Sequence, residues 1–279
     1  MRIIGIGDIH GDLQKLKTIL KHANIIDNNE NLTGNKCTLV QLGDMIDRTP
    51  SNIRINAAFH FLRDIQEEAE QNGSKIIRLL GNHELMVLQG DFSFYSMDLI
   101  NHNGDGESAT EMGSIILNDI LEGKIQGSYT QYGWLFVHGG LRTDVRKELL
   151  NDKYISVSNV NMLVDNINDI LVQSAKSNDF THTIFQVGSA RGGWKSVGGV
   201  FWTDFREELL SSAEAFKVKQ IVGHTPIYDG NIQFKNNLID IDSGMSECYG
   251  GKISYILLDN KKMVLFETSD SKLWEQHVI

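Results

Sequence analysis

Residues 3–11 run Ile3-Ile4-Gly5-Ile6-Gly7-Asp8-Ile9-His10-Gly11. The apolar run is too short for a helix and suits a buried strand. It stops at a glycine-flanked Asp8 and His10, after which Leu13, Leu16, Leu20 and Ala23 recur at helical spacing. The stretch therefore reads as strand, polar loop, helix. The same unit returns at Thr38 to Leu42, which ends at Gly43-Asp44 and is followed by Ala57, Ala58, Phe61, Leu62, Ile65 and Ala69 on one helical face. A third apolar run, Ile76, Ile77, Leu79 and Leu80, ends at Gly81-Asn82-His83-Glu84. Strands alternating with helices predict an α/β fold with a largely parallel sheet, its ligand groups gathered beyond the carboxyl ends of the strands.

Further along, Trp134 to Val137 ends at His138-Gly139-Gly140, and Ile221-Val222 ends at Gly223-His224-Thr225-Pro226. Leu238 to Ile241, Ile253 to Leu258 and Met263 to Phe266 are β-type runs, with a polar turn at Asp259-Asn260-Lys261. They predict antiparallel strands in a second sheet. Residues 91–130 and 141–200 interrupt the pattern and are expected to form the rim of a cleft. Within the latter, Val160, Leu163, Val164, Ile167, Ile170 and Leu171 predict an amphipathic helix, and Gly188 to Gly199 a glycine-rich loop. Residues 1–279 are expected to form a single domain.

A formal net charge of -10 argues against a broad electropositive face for nucleic acid or anionic lipid. The sequence has no long uninterrupted apolar stretch and no secretory pattern at its start, so a cytoplasmic protein with neither membrane nor nucleic-acid partners is expected. Cys37 and Cys248 are too few for a disulfide framework, and their neighbours form no zinc motif.

A pair of divalent ions needs carboxylate, amide and imidazole ligands, with one carboxylate bridging ions about 3.5–4 Å apart. The strand-end loops supply such a set. Asp8 and His10 would bind one ion, Asn82, His138 and His224 the other, and Asp44 would bridge them, with Gly7 and Gly11 letting the backbone turn closely around the metal. Any one of these residues alone reads more simply as a capping Asp, a surface turn or a satisfied core histidine. All six share one context, beyond an apolar strand and beside glycine, and coincidence accounts for that poorly.

Gly7-Asp8-Ile9-His10-Gly11, Gly43-Asp44-Met45-Ile46-Asp47-Arg48, Gly81-Asn82-His83-Glu84, His138-Gly139-Gly140 and Gly223-His224, in that order, resemble the blocks of the calcineurin-like metallophosphoesterase superfamily. The Asp44, Asp47, Arg48 spacing resembles its phosphoprotein phosphatase branch. Val222 to Pro226 with Asp242-Ser243-Gly244-Met245-Ser246 resembles the Shewanella-like phosphatases. The resemblance implies a four-layer α/β/β/α sandwich of two mixed sheets and two divalent ions, manganese in the first place, with iron or zinc as alternatives. It also implies that His83, paired with Asp47, is the general acid for the leaving oxygen, its pKa raised by that pairing. Arg48 offers a bidentate fork for phosphate oxygens, and Glu84 an indirect supporting role rather than metal ligation.

Two departures stand out. Thr49-Pro50 replaces the usual glycine after the Asp-Arg pair. Asp204, in Phe201-Trp202-Thr203-Asp204, stands where the Shewanella-like branch carries a second phosphate-clamping arginine. Arg191 and Arg206 are the substitutes, Arg191 ranking first because a glycine-flanked arginine can reach inward. The favoured function is phosphate monoester hydrolysis by a hydroxide formed from water held between the ions, on a phosphorylated protein (serine, threonine or tyrosine) or a small phosphoester. The alternatives are a diadenosine tetraphosphatase-like hydrolase of dinucleoside polyphosphates and, behind it, a catalytically silent phospho-binding protein.

Overall fold

The structure is a computed structural model that describes residues 1–48, 56–95, 108–150, 157–212, 218–259, 262–268 and 274–278. Among these residues the strands are β1 (Arg2–Ile6), β2 (Cys37–Gln41), β3 (Lys75–Leu79), β4 (Ile125–Gln126), β5 (Ser128–Gln131), β6 (Trp134–Val137), β7 (Lys219–Val222), β8 (Gln233–Lys235), β9 (Leu238–Asp240), β10 (Ser254–Leu258), β11 (Met263–Thr268) and β12 (Trp274–Val278). The main helices are α1 (Leu13–His22), α2 (Ala57–Gln71), α3 (Asn82–Leu88), α4 (Ala109–Leu121), α5 (Thr143–Leu150) and α6 (Val157–Ser177). The three strand-loop-helix units lie where the apolar spacing places them. Asp12 caps α1 by accepting the Lys15 N–H, and Leu16, Ile19 and Leu20 are its buried face.

Two mixed sheets result. One has the order β12-β11-β10-β1-β2-β3-β4 and the other β5-β6-β7-β9-β8. Alternation along the strands sends residues to two different layers. Ile3, Val40, Ile77 and Leu79 meet Phe136, Ile221, Ile239 and Ile241 between the sheets. Ile4, Ile6, Leu39 and Ile76 face the opposite way and pack in a core with Leu16, Ile19, Phe59 and Leu62 of the helices. Burying each of these side chains contributes about 1.5–3 kcal/mol. Helices flank both sheets, which makes the expected four-layer α/β/β/α sandwich.

The assignment of strands to sheets differs from the sequence expectation. The antiparallel strands β10 and β11 do not build a second sheet. They extend the first, with β10 pairing β1 at Ile3 opposite Leu258. The second sheet is built around β6, β7 and β9, which run parallel to one another. The physical reason is that these strands are apolar on both faces, so their pattern carries no signal of which sheet they join. Residues 125–126 and 128–130, expected in the first rim segment, are strand instead. There β4 edges one sheet and β5 the other. The Asp259-Asn260-Lys261 turn falls partly outside the described residues.

Candidate dinuclear metal site

The polar loops that follow β1, β2, β3, β6 and β7 converge on one buried cluster. Their backbone is unusual. His10 (φ 46°), Asp44 (φ 53°), Asp47 (φ 52°), Arg48 (φ 42°) and His224 (φ 70°) all occupy the left-handed region. Non-glycine residues held there cost on the order of 1–3 kcal/mol each, and such strain gathers where a site over-determines the backbone. Among the described residues, four of the six other positive-φ, non-glycine residues are asparagines, which tolerate it.

Glycines at these loops mostly serve close approach. A Cβ on Gly81 would collide with the Asp44 side chain and amide, and one on Gly223 with the Asp8 carboxylate. Gly11 has the expected turn conformation (φ 71°), whereas Gly7 does not. A Cβ on Gly7 would strike the Ile241 carbonyl, so close packing of β1 against the end of β9, rather than turning, requires glycine there.

Two triads of potential ligands share Asp44. One is His10, Asp44 and His83, the other Asp44, His138 and His224, each with ligand atoms within 4.8 Å of one another. Asn82 Oδ1 lies 2.9 Å from His138 Nε2 and 2.7 Å from His224 Nδ1. His138 Nδ1 donates to the Leu42 carbonyl at 2.7 Å, which leaves an Nε2 lone pair facing the amide oxygen when the ring is neutral. Burial favours that neutral form by lowering its pKa. Two buried acceptors face to face, beside a carboxylate 3.5 Å away, suit a divalent cation.

The charges divide the cluster further. Burial, followed by the positive charge of Arg191, holds His224 well below the usual histidine range. For Asp44, burial opposes ionisation, but His138, His83 and His10 outweigh it and lower the carboxyl. For His83, burial also opposes charging, yet Asp44 and Asp47 prevail and raise the ring. His83 Nδ1 bonds Asp47 Oδ2 at 2.5 Å, and His10 Nδ1 lies 3.3 Å from Asp47 Oδ1.

Asp8 is in neither triad. Its carboxylate accepts the His224 N–H, with both oxygens 3.1 Å away. Burial and the neighbouring Asp242 and Asp44 push Asp8 well above the carboxylate range. The sequence reading did not single out Asp242 for this site, although it too stands just beyond an apolar strand. It is buried, one of its oxygens has no hydrogen-bond partner, and burial foremost pushes it up to about 6. Glu84 touches the loops only through backbone. Its carboxylate accepts N–H groups from Asp44 (2.8 Å), Met45 (2.7 Å), Ile46 (3.3 Å) and Gly81 (2.9 Å).

A cavity of about 390 Å³ opens over the cluster, and His83, Arg48, Arg191, Phe94, Trp202 and Tyr249 are among its walls. The Arg48 guanidinium stacks on Phe94 at 4.4 Å and on Tyr249 at 5.2 Å, so rings that sequence reasoning passed over fix its direction. Arg191 reaches the cavity, whereas Arg206 turns away to the Pro226 carbonyl. Two buried donors on cavity-lining residues, Arg191 Nε and Trp202 Nε1, have no acceptor, as expected of walls shaped for an anion. Thr49-Pro50 lies outside the described residues.

The chain is 28% identical over 288 residues to Shewanella-like protein phosphatase 1 of Plasmodium berghei (strain Anka), a match covering 94% of this chain and 73% of that protein. Shewanella-like protein phosphatase 2 of Arabidopsis thaliana is 41% identical over 93 residues, 33% of this chain and 23% of that protein. The fold of a cold-active protein-tyrosine phosphatase of a psychrophilic Shewanella superposes with a TM-score of 0.69 at 21% identity, over 99% of this chain and 80% of that one. The sequence model for calcineurin-like phosphoesterases matches residues 1–265, so that the strand-end loops gathered around Asp44 fall within it and the chain belongs to that family.

Proposed function

We propose that this chain is a phosphoprotein phosphatase, hydrolysing phosphate monoesters on serine, threonine or tyrosine. The observation that carries the reading is that His83, backed by Asp47, lines the same cavity as Arg48 and Arg191, beside the two Asp44-centred triads. Asp8, His10 and Asp44 would hold one cation, and Asp44, Asn82, His138 and His224 the other. When bound, such cations supply a water of lowered pKa and neutralise charge on phosphoryl oxygens. A donor set of carboxylates, an amide and imidazoles, with no thiolate, suits manganese, and the same donors serve iron or zinc.

The protein's own groups do the rest. Arg48, braced by Phe94 and Tyr249, and Arg191 hold phosphoryl oxygens from two sides. His83, whose protonated form Asp44 and Asp47 favour, delivers its proton to the leaving oxygen. The His83 N–H bond to Asp44 Oδ1 at 3.0 Å ties the acid to the carboxylate shared by both triads. Relatives named protein phosphatases support the substrate class. No described helix is long and apolar enough to cross a membrane. Two unpaired thiols fit a reducing setting such as the cytoplasm.

The test is hydrolysis by chelator-stripped protein with manganese, zinc, iron or magnesium restored separately. Substrates are para-nitrophenyl phosphate, its bis-ester, phosphopeptides and diadenosine tetraphosphate. Manganese-dependent turnover of the monoester and the phosphopeptides is expected. Turnover of the dinucleotide alone would overturn the substrate class.

A further inference from the structure

Asp204 stands where the resemblance to Shewanella-like phosphatases implies an arginine, and its contacts tie it to an arginine from another loop. Its Oδ2 forms an ion pair with Arg191 Nη2 at 2.9 Å. The same nitrogen donates to Thr225 Oγ1 at 2.9 Å and to the His224 carbonyl at 3.2 Å. One guanidinium nitrogen thus gives two hydrogen bonds and faces a carboxylate, all within the protein. Arg191 Nε is buried without an acceptor, and Arg191 lines the cavity. The anchor itself is rigid. Asp204 Oδ1 accepts the N–H groups of Arg206 and Glu207, both at 2.9 Å, which caps the helical turn at Phe205–Leu209. Thr225 Oγ1 also accepts the Phe205 N–H at 2.9 Å, joining that turn to the His224 loop. Glu208, from the same turn, accepts the Gly198 N–H at 2.9 Å and fastens the far end of the glycine-rich loop that carries Arg191.

We infer that Asp204 is a positioning residue for phosphate recognition. It holds Arg191, delivered from a different loop, so that the unpartnered edge of its guanidinium meets the phosphoryl oxygens. The inference rests on the clamp role given to Arg191 under the proposed function. A flexible arginine on a glycine-flanked loop would lose much of its side-chain freedom on each binding event, whereas a prefastened one does not. Fastening through Thr225 and the His224 carbonyl also makes the clamp and the His224 loop one mechanical unit.

Asp204→Ser keeps a capping oxygen but is too short to reach Arg191, and Asp204→Asn keeps the cap and the reach but removes the charge. The experiment measures inorganic phosphate binding to manganese-loaded protein by calorimetry. It adds KM and kcat for para-nitrophenyl phosphate, and thermal unfolding as the control for folding. Asp204→Ser should weaken phosphate binding about tenfold, the scale of a charge-assisted contact, and raise KM more than it lowers kcat. Asp204→Asn should fall between it and the unaltered protein. Arg191→Ala should weaken binding at least as much, and adding Asp204→Ser to it should do nothing more. If Asp204→Ser lowers the unfolding temperature, Asp204→Asn decides. Unchanged phosphate affinity in Asp204→Asn and Asp204→Ser, or additive losses in the double variant, would overturn the inference. Phosphate binding that depends on Arg191 and Asp204 in a protein that turns over no monoester would instead sink the proposed function and leave this inference standing.

Discussion

Replacing Glu84 by Gln removes one acceptor oxygen from a group that serves four backbone donors, and the consequence can be worked out atom by atom. Oε2 receives the Asp44 and Gly81 N–H groups, and Oε1 receives those of Met45 and, more weakly, Ile46. Whichever way the amide is set, its NH2 faces two N–H groups on loops sealed from water, for Glu84 is fully buried. Each unpaired buried donor costs about 1–3 kcal/mol, so the variant should lose roughly 2–6 kcal/mol. At about 2–4 °C per kcal/mol for a chain somewhat smaller than this one, the unfolding temperature should fall on the order of 10 °C. The loss should appear both in chelator and in saturating manganese, because the carboxylate straps the Asp44 loop to the Gly81 loop whether or not a cation is bound. Circular dichroism melts of both proteins in both conditions measure it. A deficit confined to the manganese-loaded protein would mean that Glu84 acts as a ligand, and a shift under about 2 °C in chelator, well below the range expected from the unpaired donors, would refute the strap.

Asp44→Asn should empty both cation sites, read by elemental analysis after gel filtration, and lower turnover at least about a thousandfold. His83→Asn should leave the bound metal unchanged. It should slow phosphoserine peptides by about 10²–10⁴ and para-nitrophenyl phosphate, whose leaving group needs no proton, far less. An emptied metal site in that variant would make His83 a ligand, in line with its place in the His10–Asp44 triad. The metal-free protein should lose stability as pH rises from 6.5 to 8. Asp8, Asp242 (about 6) and Glu84 (about 7) are pushed up chiefly by burial, and His83 is raised by Asp44 and Asp47 against its burial. Each such group favours its protonated form when folded, so its contribution is present below the unfolded pKa and is lost as pH climbs through the folded one. Buried His138 and His224, lowered, act in the opposite sense only below about 6.5. Manganese should flatten the slope, and a metal-free unfolding temperature that stays level or rises over this range would contradict the argument.

The strand-end loops were legible because each places hard donors and glycine beyond a short apolar run, and that pattern is local. Asp44, Asn82, His138 and His224 could be grouped without knowing which strands were neighbours. Sheet membership was not legible. Ile221 and Val222 are apolar on both faces, so nothing in them distinguishes an extension of the β1–β3 sheet from the start of a second one. Phe94 and Tyr249, 155 positions apart in the chain, brace Arg48 only because the fold brings them to the same guanidinium. Asp242 carried the strand-end signal but not the glycine immediately before it that marked Asp8, Asp44, Asn82 and His224. Asp204 read as a departure from a pattern, and its use became visible only with Arg191 beside it.

Four histidines crowd this site, and the fold biases three of them, His138, His224 and His83, toward different protonation states by different means. His138 has its Nδ1 proton committed to the Leu42 carbonyl and is buried, which favours the neutral ring that a metal ligand must present. For His224 burial is assisted by Arg191, whose guanidinium rests on the His224 carbonyl. His83 is almost as buried, yet Asp44 and Asp47 raise it. The protonated form required of an acid is therefore favoured within one ring's breadth of His10 (centroids 4.7 Å apart) by adding the Asp47 carboxylate at the His83 ring. Arg191 serves both halves of the arrangement. Its charge suits a phosphoryl group in the cavity, and the same charge disfavours protonation of the histidine whose loop it grips. Asp204 sets where that charge sits, and so a change at Asp204 should be felt at the phosphate and at His224 together.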